Sequence, residues 1–99
     1  MTFSQIVDNL TDADVLALAR EVAKRQHITL GDMWNRGREP FRAWARQEFW
    51  AALRAIGPQW SWPRIAGLSG HDHTTVMYGV RAHVIRAIRT APQTEEKCA

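Results

Sequence analysis

Cysteine is almost absent from this chain: the only one among its 99 residues is Cys98, in the polar tail APQTEEKCA. A lone thiol forms neither an internal disulfide nor a cysteine metal cluster, so the fold must hold without covalent or metal staples. No apolar run approaches the roughly 20 residues that a bilayer requires. The N-terminal MTFSQIVDNL has no basic region followed by an apolar stretch, so no secretory signal is predicted and the expected location is the cytoplasm. No phosphate-binding loop of the G-x-x-x-x-G-K-[ST] kind occurs, and the length leaves no room for a nucleotide-binding domain. No segment alternates apolar and polar residues as a half-buried strand does, so no sheet is expected. Internal repeats and low-complexity blocks are missing as well.

The groupings that carry catalysis are also lacking. No Ser-His-Asp or Cys-His arrangement is recognisable. His71, Asp72, His73 and His83 lie close in sequence, but His73 and His83 are ten residues apart and out of phase on one helix, and no further cluster supplies missing ligands. The reading is therefore of a protein with no metal, no cofactor and no enzymatic activity.

What the chain does have is an uneven charge. The net charge is +3, yet positions 36–89 carry nine arginines, no lysine and three acids, a balance of +6, while the remaining residues balance at −3. An arginine-rich body between acidic ends suits a phosphate-bearing partner, because guanidinium forks match phosphate geometry. The chain also has five tryptophans, at 34, 44, 50, 60 and 62. Small helical domains use large aromatics to bury enough area, so most of these belong to the core. Trp44 and Trp50 cannot both share the face of Phe41 and Phe49, so at least one is expected to be partly exposed.

The periodicities are helical throughout. Residues 1–11 form an N-terminal extension with a short leading helix. Thr11, with Asp14 three residues on, reads as the N-cap of a helix over about residues 12–26, with Val15, Leu18, Ala19 and Val22 inward. Thr29 caps a single short turn through Trp34. After a loop containing Gly37, Pro40 opens a central helix whose Phe41, Ala45, Phe49, Leu53 and Ile56 recur at helical spacing up to Gly57-Pro58. Ser61 and Pro63 begin a shorter helix with Ile65 and Leu68 inward, ending near Gly70. Asp72 can cap a last long helix in which Val76, Val80, Val84 and Ile88 form an i, i+4 stripe. Short helix, tight glycine turn, long helix is the layout of a helix-turn-helix. Residues 91–99 read as a flexible polar tail.

The informative segment is SWPRIAGLSGHDHTTVMYGVR, residues 61–81. Burying the valines of the final helix turns His73, Thr74, Tyr78 and Arg81 outward. The first turn of such a helix is where base edges are reached in a major groove. There Asp72 can accept from a cytosine amino group, His73 can donate to guanine or thymine, and Thr74 offers both a hydroxyl and a methyl.

Gly70-His71-Asp72-His73-Thr74-Thr75-Val76 resembles the Gly-Arg-Asp-His-Thr-Thr-Val core of the DNA-binding domain of the DnaA replication initiators. EVAKRQHITLGDMWNRGR and ARQEFWAAL are similar to that family's first helix with its basic loop and to its central helix, so the resemblance spans residues 12–90. It implies an all-α, compact helical bundle with a helix-turn-helix of the Trp-repressor-like type. It further implies that Arg38 enters an A/T-rich minor groove, that Asp72, His73 and Thr74 read the adjacent major groove, and that Pro63 touches a thymine methyl. Arg46, Gln47, Arg54, Ser61, His71, Thr75, Tyr78 and Arg81 fall where the family makes or supports phosphate contacts, which position the protein and carry little sequence information. Departures are His71 in place of arginine, which loses a permanent cation, Tyr78 at a position often histidine, and a turn one residue short.

The expectation is thus a free-standing reader of double-stranded DNA, probing an A/T-containing site like those the initiators bind and regulating transcription or replication at the nucleoid without ATPase activity. The rival expectation is a helical protein-interaction module on the same fold. The acidic first 35 residues are a natural place for a homodimer contact or a protein partner.

Overall fold

Capping chemistry sets where the first helices begin. The structure, a computed structural model, describes residues 1–35 and 40–90, apart from the side chains of Phe41 and Thr90. Thr2 and Gln5 form a reciprocal capping box that starts α1 (Phe3–Asp12), and Thr29 and Asp32 do the same for α3 (Leu30–Trp34). Each box satisfies two backbone N–H groups that a helix start leaves unpaired. Between them lies α2 (Leu16–Arg25), followed after the 36–39 segment by α4 (Pro40–Ile56), α5 (Trp62–Ser69) and α6 (His73–Thr90). No strand occurs among the described residues, so the protein is an all-α bundle. None of its described helices is long and apolar enough to cross a membrane.

The leading helix is longer than the sequence predicts, and Thr11 does not cap its successor. Thr11 lies in the last turn of α1, where its hydroxyl donates to Val7 O at 2.7 Å. The chain then turns through Asp14, whose φ of 60° is left-handed, and α2 starts at Leu16 behind Val15, which makes no side-chain cap. The physical reason is a break of phase. Ile6 and Leu10 are buried on α1, and Val15, Ala19 and Val22 are buried next; the five-residue step from Leu10 to Val15 cannot keep both sets on one face of a continuous helix. Aspartate tolerates the left-handed conformation better than most residues. Residues 1–11 are consequently built into the core, and Asn9 Nδ2 donates to Leu68 O at 3.1 Å, tying α1 to the end of α5.

Every helix contributes to one core. Leu10, Val22, Met33, Phe49, Leu53, Ile65 and Val76 are fully buried, each worth about 1.5–3 kcal/mol relative to exposure. Trp34 meets Phe49 edge to face, with centroids 5.7 Å apart. Arg25 Nε and Nη2 both donate to Glu48 Oε2 at 2.9 and 2.6 Å, and Gln26 donates to Glu48 Oε1, linking α2 to α4. Of the two tryptophans that could not share a face, Trp50 is buried and Trp44 is 43% exposed under the guanidinium of Arg86. Burial lowers the pKa of Arg86 from its ordinary value. Ile56, expected inward, is exposed at the end of α4.

α4 and α6 make the most extensive helix pair, and a glycine permits it. A Cβ on Gly79 would lie 2.8 Å from two ring carbons of Trp50 and 3.0 Å from Gln47 Cγ. The inward line of α6 runs through Val76 and Gly79, with Val80, His83 and Arg86 partly covered. It does not follow the expected valine stripe, because an i, i+4 series drifts about 40° per step around a 3.6-residue helix. Val84 and Ile88 end up 46% and 64% exposed.

Replacing Gly79 by alanine should therefore lower stability by about 1–3 kcal/mol through overpacking. Gly67, inside α5, has open space where its Cβ would go; Gly67→Ala should raise stability by roughly 0.5–1 kcal/mol. Urea denaturation midpoints of the two variants check the contrast.

Candidate nucleic-acid interface

The junction between α5 and α6 is short because its ends are well made. Ser61 accepts from Arg64 N–H as the N-cap of α5, and Pro63 sits in the first turn, where its missing N–H costs nothing. At the other end Gly70 takes a left-handed φ of 71° and its N–H returns to Ala66 O; the His71 N–H also reaches Ala66 O, at 3.1 Å. Glycine meets that conformation at no steric cost. The Asp72 carbonyl then accepts from Val76 N–H and α6 is under way.

His71 is the hinge pin of this junction. Ser69 Oγ and His71 Nδ1 are hydrogen-bonded at 2.7 Å, and the imidazole packs edge-on against Trp50 with centroids 5.1 Å apart. Because Trp50 also contacts Gly79, one indole fixes His71, two residues before α6, and the second turn of α6 together.

Exposed side chains begin immediately after that pin. Pro63, Asp72, His73, Thr74, Thr75, Tyr78 and Arg81 all reach solvent. His73 Nδ1 lies 3.4 Å from Asp72 Oδ1, and both side chains are more than half exposed. Trp62, the neighbour of Pro63, lines one groove with His73, Thr74, Tyr78 and Arg81, so the first turn of α5 adjoins the outward edge of α6. Arg81 has no hydrogen-bond or ion-pair partner among the described residues. The set offers a carboxylate acceptor, an imidazole and two threonine hydroxyls at the partly positive start of an 18-residue helix, with a phenol and an outward guanidinium one to two turns farther along.

A second group of expected site residues lies behind this surface and is engaged within the protein. Arg46 Nη1 donates to Met33 O at 2.8 Å and to Asn35 O at 3.0 Å, bracing the end of α3 just before the 36–39 segment. Arg54 Nη1 donates to Trp60 O at 3.0 Å while its guanidinium lies 4.4 Å from the Trp62 ring centroid. Gln47 packs against Gly79, and its buried Oε1 has no hydrogen-bond partner among the described residues. Arg38, expected in a minor groove, lies outside the described residues. No family model matches the chain, and no curated protein or solved structure matches it significantly.

Sequence reasoning passed over Trp62 and Met77, which line the same groove as His73 and Arg81. The signal for Met77 was available: on a helix, residues 74, 77 and 81 share one side. For Trp62 it was the Ser-Trp-Pro start of α5, which places the indole in the first turn instead of the inward stripe. Among the described residues no three His, Cys, Asp or Glu side chains are grouped to hold a metal ion.

The two groups of residues should separate in a stability assay. Arg54→Ala removes a charged donor from a backbone carbonyl and should cost about 1–2 kcal/mol, whereas Arg81→Ala and Tyr78→Ala should stay within about 0.5 kcal/mol of the parent. Thermal melts followed by circular dichroism check this before any binding experiment.

Proposed function

We propose that this protein is a sequence-specific binder of double-stranded DNA that uses α5 and α6 as a helix-turn-helix like that of the DnaA DNA-binding domain. The observation that carries the reading is the exposure of Asp72, His73 and Thr74 at the start of a helix whose first two turns are pinned by the buried Val76 and Gly79. A groove-reading helix needs polar atoms facing outward on a backbone that does not move.

In this reading the start of α6 enters the major groove. Asp72 accepts from a cytosine amino group, His73 donates to a guanine or thymine acceptor, and Thr74 packs its methyl on a thymine. Pro63 adds an apolar contact from the start of α5, and Arg38 lies in the neighbouring minor groove. Thr75, Tyr78 and Arg81 lie along phosphates. Arg46, Gln47, Arg54 and His71 act from within the bundle, and Ser61 as the exposed cap of α5, to hold the carriers of those contacts. The protein regulates transcription or replication by occupying its sites at the nucleoid, in the cytoplasm and without ATP hydrolysis.

A second reading, a protein-interaction module, draws on the apolar residues exposed farther along α6. Salt separates the two, since phosphate contacts make affinity fall steeply as salt rises and an apolar interface does not respond in that way.

The test is selection from a random duplex library at near-physiological salt. Enrichment of an A/T-containing box related to TTATNCACA, bound at least ~10³ more tightly than scrambled DNA, is expected. His73→Ala should then cost about 1–3 kcal/mol of specific binding and relax the preference at one position, while Arg81→Ala should weaken all sequences alike and reduce the salt slope by about 1. Weak, sequence-blind binding that ignores His73→Ala would overturn the proposal.

A further inference from the structure

The two ring nitrogens of His73 are placed differently. Nδ1 lies 3.4 Å from Asp72 Oδ1, while both side chains stay more than half exposed. Neither side chain makes another hydrogen bond or ion pair among the described residues. In particular, the Asp72 carboxylate does not fold back onto the N–H groups that open α6, as an N-cap aspartate would. Its partner is the imidazole.

That distance decides where the ring carries hydrogen. An ionised carboxylate only accepts, so a bare Nδ1 would set two lone pairs against each other, and the favourable forms carry a proton on Nδ1. A neutral imidazole has a single N–H. With that proton on Nδ1, Nε2 presents a lone pair and can only accept. Donation from Nε2 to a base, with Asp72 still paired, requires the imidazolium. The other groups around the ring are Tyr78 and Arg81 of α6, which line the same groove, and Trp62 of α5, with the Arg54 guanidinium of α4 over its indole. Asp72 is the anion of this set, and the phosphates of a bound duplex add to its charge, so binding favours the charged ring. Histidine is the residue type that exchanges such a proton between about pH 5 and 8.

We propose that His73 is a proton-controlled specificity residue: paired through Nδ1 with Asp72, it reads a guanine or thymine acceptor through Nε2 as the imidazolium, and the duplex is bound with uptake of a proton. The inference rests on the reading of α6 as the groove-entering helix. The neutral ring turns a lone pair toward the base pair instead, which suits the amino group of cytosine or adenine. Asp72 thereby sets the donor character of its neighbour in addition to making its own contact. Because the complex holds a proton that the free protein releases, affinity for a guanine- or thymine-bearing site falls as pH rises through the histidine range. The fall approaches roughly tenfold per pH unit for a single proton, and it levels off at lower pH, where the free ring is already charged.

Long-range proton–nitrogen correlation NMR of the free, full chain at about pH 8 reads the tautomer without any DNA. The Nδ1–H form is expected at His73, and the Nε2–H form would overturn the proposal. Titration of the selected box from about pH 6 to about pH 8 then reads the proton. Affinity should fall at least roughly tenfold over that range in the parent and in His83→Gln, whose ring lines a separate hollow with Trp44 and Arg86. It should change less than about twofold in His73→Gln, in Asp72→Asn and on scrambled duplex. The amide of Asp72→Asn can donate to Nδ1, which lets the neutral ring keep its proton on Nε2. A slope that survives His73→Gln, or an equal slope on scrambled DNA, would overturn the proposal. A flat profile on a specifically bound box overturns this inference and leaves the groove reading intact, whereas failure to enrich any box overturns both.

Discussion

The close approach of α4 and α6 at Gly79 governs this structure. The ring of Trp50 occupies the space that any larger residue at position 79 would need, so the helices meet at a distance only glycine allows. The same indole supports His71 on its other flank. The two contacts bracket the first turn of α6 from before and behind, and the left-handed Gly70 makes the bracket possible by returning the chain tightly from α5. The orientation of Asp72, His73 and Thr74 follows from the packing of His71 and Gly79 on Trp50 rather than from contacts of their own side chains with the core.

The arginines divide into two populations that a charge count cannot distinguish. Arg25 is paired with Glu48, Arg46 and Arg54 donate to backbone carbonyls, and Arg64 lies over Trp60 while donating to Gln59 O. These guanidiniums hold helices and turns together. Arg81 faces outward without a protein partner among the described residues. Hydrogen bonds to neutral carbonyls leave Arg46, Arg54 and Arg64 charged, so they still add to the local field, but among the described residues an outward guanidinium such as Arg81 is the kind that can fork directly onto a phosphate.

Much of the fold was legible where local chemistry decides. Thr29, Ser61 and Gly70 mark the helix ends they were expected to mark, because side-chain caps and left-handed glycines act within a few residues. Thr11 misled for the complementary reason. Threonine followed by acids resembles a cap, but burial of Ile6 and Leu10 extended α1 through it, and tertiary packing outweighed a local preference. The valine series of α6 misled through geometry, since a four-residue step is not a helical repeat and the true inward line passes through a glycine that carries no hydrophobic signal. At the candidate site the outward set of Asp72, His73, Thr74, Tyr78 and Arg81 was legible from helix phase. The internal engagement of Arg46 and Arg54 was not, because it depends on carbonyls at Met33, Asn35 and Trp60 that lie in other elements or beyond a turn.

The pinning of His71 and Gly79 has an entropic consequence. Side chains at the start of α6 stand on a backbone whose freedom was already given up on folding, at roughly 1–2 kcal/mol per residue. Any ligand that meets Asp72, His73 and Thr74 has only their rotamers left to order, and these are short side chains with few torsions. The later turns of α6 are held differently, by Arg86 over the Trp44 ring rather than by a buried glycine contact. The start of this helix is thus prepaid: the folding of the core has already supplied the ordering that a ligand would otherwise have to supply.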